Sequence, residues 1–310
     1  MRRQAMGMAT ALLLAGTATA TAQTTEPEAA KVHPELWPAA KSPAAISDPK
    51  TEARIDALIG KMTIEQKVGQ LIQGDISTIT PKDLETYPLG SILAGGNSGP
   101  NGNERSTAAD WAKLVGDFRA VSLRPQANGV AIPIIFGVDA VHGHNNIPGA
   151  TLFPHNIGLG AARDPELIQR IGAVTAAEIA GSGIEWTFAP TLAVPQDLRW
   201  GRSYEGYAAD PKLIADYAKA MVLGLQGPLV AGKTVDATHV AATAKHFLAD
   251  GGTFEGKDQG DARIDEQELI AKHALGYPAA IDAGTLTVMA SFSSWQGVKH
   301  HGNKGLLTDA

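Results

Sequence analysis

The sequence contains no cysteine in 310 residues. This excludes disulfide staples, thiolate nucleophiles and cysteine metal ligands. Aromatic side chains are scarce, at 5%, and charged residues make up only 19%. The net charge of −6 and a pI of about 5.8 leave no basic excess for a phosphate backbone, so nucleic acid is not an expected partner. No apolar run approaches the ~20 residues needed to cross a bilayer, so no membrane span is expected. No G-x-G-x-x-G follows a strand-like segment, which removes the fingerprint of a dinucleotide fold. What the chain does have is 44% hydrophobic residues and enough length for one large α/β domain or two small ones.

The first 22 residues read as a secretory signal peptide. Arg2 and Arg3 form a basic start, Met8 to Gly16 is a short apolar stretch, and Ala20-Thr21-Ala22 offers small residues for cleavage before Gln23. The expected location is therefore secreted or periplasmic. Residues 23–47 are rich in Ala, Pro, Thr, Glu and Lys without periodicity and read as an N-terminal extension, draped or disordered. The folded domain is expected over 48–310, with no internal repeats.

Within it, apolar strands alternate with amphipathic helices. Helices are expected over Thr51–Ile72, Asn103–Leu123, Pro165–Ala180, Pro211–Gln226 and Asp265–Ala283. Strands are expected over Leu89–Ala94, Ile132–Asp139, Ile184–Pro190, Val240–Phe247 and Thr285–Phe292. Repeated βα units of this size imply a parallel sheet. Polar residues gather after the strands, which favours a (β/α)8 barrel over an open doubly wound sheet.

The segment Phe136-Gly137-Val138-Asp139-Ala140-Val141-His142-Gly143-His144-Asn145-Asn146 is the most informative. A buried strand that stops at a carboxylate, with imidazoles and amides following, puts acceptors and donors together where barrel chemistry sits. A carboxylate can accept from two hydroxyls at once, which suits a hydroxyl-rich ligand. His142 and His144 read as loop braces that bond backbone and Asp139. In Arg199-Trp200-Gly201-Arg202-Ser203-Tyr204-Glu205, Arg202 supplies a planar fork of donors that Glu205 can orient, and the flanking aromatics offer faces for sugar C–H groups. Lys245-His246 closes an Ala-rich strand, and Asp250-Gly251-Gly252-Thr253 marks its end. A buried Lys245 needs a carboxylate or a ligand.

Together these motifs resemble glycoside hydrolase family 3, of the β-glucosidase and exo-β-glucanase type. Further matching segments are Ala150-Thr151-Leu152-Phe153-Pro154-His155-Asn156-Ile157-Gly158-Leu159-Gly160, Ala244-Lys245-His246-Phe247, and Val288-Met289-Ala290-Ser291-Phe292-Ser293-Ser294-Trp295-Gln296-Gly297. The resemblance runs from about Asp48 to Asp309. It implies the N-terminal TIM-like barrel domain, no cofactor and no metal, and retaining hydrolysis of terminal β-D-glucosyl residues from β-glucosides or β-glucans. It assigns Asp139, Arg202, Lys245 and His246 to the subsite for the non-reducing glucose, and Trp295 to a loop lining the same pocket. His142, His144, Glu205 and Asp250 are supporting residues. Leu248-Ala249-Asp250-Gly251-Gly252-Thr253 stands where the hexosaminidase branch has Gly-His-Gly, which points to the glucosidase branch.

One departure from the family pattern concerns the catalytic carboxylates. The family's nucleophile lies in a Ser-Asp-Trp segment on a later strand, and its acid/base on a following domain. Both are expected beyond Ala310, in a C-terminal part of the same polypeptide, so the barrel is expected to be incomplete and the 310 residues alone inactive. If the chain ended here, a non-catalytic sugar-binding pseudo-enzyme would be the alternative. A minor alternative, a metal-dependent hydrolase, rests on His142-Gly143-His144 as a His-x-His pair.

Overall fold

The structure, a computed structural model, describes residues 27–96, 98–124 and 130–310. The expected signal peptide lies outside the described residues.

Residues 27–47 are draped over the domain rather than free of it. Three 3-10 turns, Glu28–Ala30, Pro34–Leu36 and Ala44–Ile46, lead to α1 (Pro49–Ile59) and α2 (Ile64–Gly69). The strap is tied down by one carboxylate. Glu266 accepts from the His33 amide at 2.7 Å and from the Trp37 indole at 2.8 Å, and its other oxygen meets His33 Nδ1 at 2.6 Å. The single helix expected over Thr51–Ile72 is two helices. Asp48 caps the first by accepting from the Thr51 amide, and Thr63 with Gln66 forms a capping box that starts the second. The apolar face of α1 is not a core face, since Ile55 and Ile59 are 42% and 45% exposed.

Strand β1 (Gln73–Asp75) is polar and was not legible from hydrophobic pattern. β2 (Ser91–Ala94) pairs beside it, and α3 (Ala108–Ser122) buries Trp111, Val115, Phe118 and Val121 against the sheet. β3 (Ile135–Val138) follows, then α4 (Asn156–Ala162), α5 (Pro165–Gly181) and β4 (Trp186–Thr187). α6 (Pro211–Gln226) has the bounds its sequence signals dictate. Asp210 caps it, Pro211 occupies its first turn where no amide donor is needed, and Leu213, Ile214, Tyr217, Ala218, Met221, Val222 and Leu225 face the core. Each large side chain there contributes about 1.5–3 kcal/mol by burial. Tyr217 also donates to the Leu159 carbonyl at 3.0 Å and accepts from the Asp164 amide at 2.9 Å, tying α6 to the ends of α4 and α5.

β5 (Thr243–Phe247) is followed by β6 (Asp261–Ala262), α7 (Glu266–Leu269), a π-helical turn Ile270–Ala274, α8 (Gly276–Asp282) and β7 (Thr287–Ala290). β8 (Ser294–Trp295) and β9 (Val298–Lys299) come last. β1 to β4 pair in parallel in chain order, with Val138 opposite Thr187 between β3 and β4. Parallel bridges Trp186 to Ala241 and Thr191 to Lys245 carry the arc on to β5, which pairs in parallel with β7. Thus β1, β2, β3, β4, β5 and β7 form an open, parallel arc among the described residues. β6, β8 and β9 make a separate small sheet. Beside β7 lies an apolar groove of about 720 Å³, bordered by Trp37, Phe247, Tyr277, Val288 and Leu306.

Inside the arc, polar side chains satisfy one another. The Trp186 indole donates to Thr243 Oγ1 at 2.8 Å and Thr287 Oγ1 at 3.1 Å, linking three strands through one ring. No helix among the described residues is long and apolar enough to cross a membrane.

Candidate functional site

The C-terminal ends of β3, β4 and β5 all open onto one rim, so the segments that follow them converge there. Asp139 is the first residue past β3. Its backbone carbonyl accepts from Thr187 Oγ1 at 2.7 Å, which fixes the end of β3 against β4. Its carboxylate Oδ1 lies 2.6 Å from Lys245 Nζ on β5. The Lys245 side chain is 4% exposed and that of Asp139 39%. The ammonium is therefore desolvated and the carboxylate still faces outward. A buried ammonium without this partner would be costly, and one Asp139 oxygen accepts one of its three N–H donors.

Arg202 follows β4 in a tight turn. Its Nε and Nη2 donate to the two oxygens of Glu205, both at 2.7 Å, in a fork-to-fork pair. The Glu205 hydrogen bonds hold the guanidinium charged even more firmly than usual, against the opposing effect of burial. The Glu205 carbonyl accepts from Asn156 Nδ2 at 2.7 Å, so the segment after β3 braces the one after β4.

Arg202 Nη2 also reaches His246 Nε2 at 3.3 Å. His246 is the next residue after Lys245, and in a regular strand the two would face opposite ways. Here the pairing with β7 shifts register between Lys245 and Phe247, so the strand is irregular at this point; Lys245 meets Asp139 while His246 meets Arg202. On its other side, His246 Nδ1 meets Asp250 Oδ2 at 2.7 Å, and Asp250 Oδ1 accepts from the Gly251 amide at 3.0 Å. Four residues singled out from sequence, Asp139, Arg202, Lys245 and His246, are thus joined as two adjoining sets, with Glu205 and Asp250 behind the second.

The remaining expectations fare differently. Trp295 was expected to line the pocket. Instead it is wholly buried in β8, with its indole donating to the Ile264 carbonyl at 2.7 Å. The small sheet and the segment before α7 enclose it, so its ring offers no face to a ligand. Neither His142 nor His144 bonds Asp139. His142 Nδ1 meets the Phe153 carbonyl at 3.1 Å, as a backbone brace. His144 Nε2 lies 3.2 Å from Ser182 Oγ, whose own proton goes to the Ile179 carbonyl at 2.6 Å. His144 therefore carries its proton on Nε2 and leaves Nδ1 bare and buried, without a partner among the described residues. Burial holds its pKa down at about 4. Gly143, between them, has φ of +97° and a Cβ there would lie 2.1 Å from the Thr151 carbonyl oxygen, so only glycine fits the turn that sends the two rings apart. The His-x-His reading loses its geometric basis, since the two rings serve different partners and no three His, Cys, Asp or Glu side chains among the described residues are grouped to hold a metal ion.

Sequence reading missed a row of tilted and edge-to-face aromatic contacts beside the rim. His142 and His155 have ring centroids 4.3 Å apart, and His155 and Tyr204 4.8 Å. Tyr204 was noted as a flanking aromatic, but nothing in the spacing marked His155 as its neighbour. Trp200, the other flanking aromatic, is buried and donates to Asp258 at 3.0 Å.

Chemically, the cluster offers two cationic donors, an outward-facing carboxylate and an imidazole at the end of a parallel arc. That set fits a neutral polyhydroxylated ligand, whose hydroxyls both donate and accept.

Comparison with known proteins agrees with this chemistry. The family model for the glycosyl hydrolase family 3 N terminal domain matches residues 63–310. The crystal structure of an exo-1,3/1,4-beta-glucanase from a Pseudoalteromonas species is similar with a TM-score of 0.82 and 50% sequence identity, covering 86% of this chain and 33% of that one. A beta-glucosidase from Listeria innocua, solved in complex with glucose, is similar with a TM-score of 0.69 and 27% identity, covering 83% of this chain and 35% of that one. The lysosomal beta glucosidase of Dictyostelium discoideum is 32% identical over 273 residues, 82% of this chain and 33% of that protein. The chain spans about a third of the length of these relatives.

Proposed function

Because the chain belongs to glycosyl hydrolase family 3, with the TIM-like barrel fold of that family's N-terminal domain, we propose that its protein removes terminal non-reducing β-D-glucosyl residues from β-glucosides or β-glucans. The observation that carries the reading is the convergence of Asp139, Lys245, Arg202 and His246 at adjacent strand ends. Asp139 accepts from two hydroxyls of the terminal glucose, and Lys245 and Arg202 donate to its oxygens. Bonds of this kind to charged groups strengthen as the sugar ring approaches the oxocarbenium-like transition state. Its partners in this reading are β-linked glucosides and gluco-oligosaccharides.

A retaining mechanism needs a nucleophile and an acid/base, two carboxylates about 5–5.5 Å apart. Within the cluster, Glu205 is committed to Arg202, Asp250 to His246, and Asp139 to Lys245. In the proposed mechanism the two catalytic carboxylates, as the resemblance to the family implies, come from polypeptide beyond Ala310. The N-terminal pattern of Arg2, Arg3 and Ala20-Thr21-Ala22 supports export as a secreted or periplasmic protein.

The test is turnover of aryl β-glucosides and of laminaribiose by the protein from the full reading frame. Release of β-glucose as the first-formed anomer, slowed on the order of 10²-fold or more by Asp139→Asn, is expected. Tight glucose binding with no turnover of any β-glucoside would instead identify a sugar-binding pseudo-enzyme.

A further inference from the structure

We infer that Asp250 is a positioning residue for the sugar site, one that locks His246 in the Nδ1–H form so that Nε2 meets a bound sugar hydroxyl as an acceptor. The inference rests on the glucose-binding reading for the hydroxyl, but not for the state of the ring.

Arginine has no acceptor atom. The 3.3 Å contact between Arg202 Nη2 and His246 Nε2 is therefore a hydrogen bond only if Nε2 carries a lone pair. The proton then sits on Nδ1, which faces Asp250 Oδ2 at 2.7 Å. Both ends of the ring give the same answer. Asp250 is itself fixed. It is 7% exposed, and its second oxygen takes the Gly251 amide at 3.0 Å. The turn that returns it beneath the ring passes through Ala249 at φ of +57°. The carboxylate thus has one oxygen for the backbone and one for the imidazole, and cannot rotate without losing both.

The consequence is a defined polarity. Lys245 and Arg202 donate, while Asp139 and His246 Nε2 accept. A hydroxyl that enters beside His246 takes the place of the Arg202 donor at Nε2, donating its proton there and accepting from the displaced guanidinium. A substrate lacking that hydroxyl leaves the direct Arg202–His246 bond in place and gains neither of the two bonds the hydroxyl makes, so the site discriminates for it.

Asp250→Asn inverts the arrangement in a defined way. The amide oxygen is needed by the Gly251 amide, so the amide NH2 faces His246 Nδ1. That nitrogen must then accept, and the proton moves to Nε2, where it opposes the Arg202 donors. Two measurements on the full-length protein test this. The first is two-bond 1H–15N correlation of the His246 ring in 15N-histidine-labelled protein. The expected result is a protonated Nδ1 and a bare Nε2 in the unsubstituted protein, with the pattern reversed in Asp250→Asn. A protonated Nε2 in the unsubstituted protein overturns the inference, whether or not the protein cleaves glucosides. The second is kcat/KM on aryl β-glucosides deoxygenated singly at each ring position. One position should show roughly tenfold discrimination, and Asp250→Asn and His246→Ala should each erase it at that same position alone. An equal fall at every position means a merely structural Asp250 and also overturns the inference.

Discussion

Lys245 Nζ and Asp139 Oδ1, 106 residues apart in sequence, are 2.6 Å apart at the ends of β5 and β3. The two partners are unequal, because the ammonium is buried and the carboxylate is 39% exposed. That inequality separates the effects of removing one or the other.

Replacing Asp139 by Asn should lower kcat/KM of the full-length protein by on the order of 10²-fold or more, since charge-assisted bonds that tighten in the transition state are lost. Steady-state kinetics on an aryl β-glucoside check it. A variant within a factor of about three of the unsubstituted enzyme would contradict the role of Asp139.

Lys245→Met should cut activity at least tenfold while leaving thermal unfolding nearly unchanged. The substitution deletes a buried charge and fills its space with a chain of similar length, and Asp139 is left facing solvent. Collapse of Tm with unchanged inhibition constants for glucose would make the pair structural only.

Arg202→Lys should lower kcat/KM by roughly 10- to 100-fold despite keeping the charge. Lysine cannot form the two parallel bonds to Glu205 and also reach His246. Glu205→Gln should produce a smaller loss, because the fork loses its anionic partner but keeps its donors. Equal activity of Arg202→Lys and the parent would show that the fork geometry is irrelevant.

The pH dependence of stability follows from His144. Burial lowers its folded pKa to about 4 from an ordinary 6.5. Between those values the unfolded chain binds a proton that the folded protein does not. Its contribution to stability is thus complete above about pH 6.5 and is lost as the pH falls towards about 4. The shift corresponds to roughly 3 kcal/mol at about 1.4 kcal/mol per pKa unit. Burial lowers His273 to about 4 as well, so the effect should be shared. Urea midpoints measured between about pH 7 and pH 4.5 should fall for the parent and fall less for His144→Gln. Identical slopes would contradict the buried, neutral state of this ring.

Glu266 gathers three donors from His33 and Trp37. Glu266→Ala should release the strap at a cost of about 1–3 kcal/mol, by leaving part-buried donors unpaired. Limited proteolysis should then cut before Pro49 faster than in the parent. Unchanged cleavage would mean that the packing of Val32 and Trp37 suffices.

Much of this was legible in sequence where local signals and tertiary packing agree. Asp210 and Pro211 start α6 and its apolar face ends it at Gln226, as observed. Asp139, Lys245 and His246 stood out near the ends of apolar strands and Arg202 beside its flanking aromatics, but it was the resemblance to the family that assigned all four to one subsite. What was not legible depends on long-range contacts. β1, Gln73–Asp75, has no apolar alternation and is a strand only because β2 pairs with it. Trp295 looked like a ligand-facing ring, yet a two-residue strand 33 residues upstream, Asp261–Ala262, encloses it. His144 sits in the same motif as Asp139, and only the fold reveals that it points to Ser182.

The most direct measurement is a crystal structure of the full-length protein with glucose bound. The expected result is one glucose whose hydroxyls lie within hydrogen-bond distance of Asp139, Lys245, Arg202 and His246. Glucose bound elsewhere, with these four side chains bonded only to one another, would contradict the proposed sugar site.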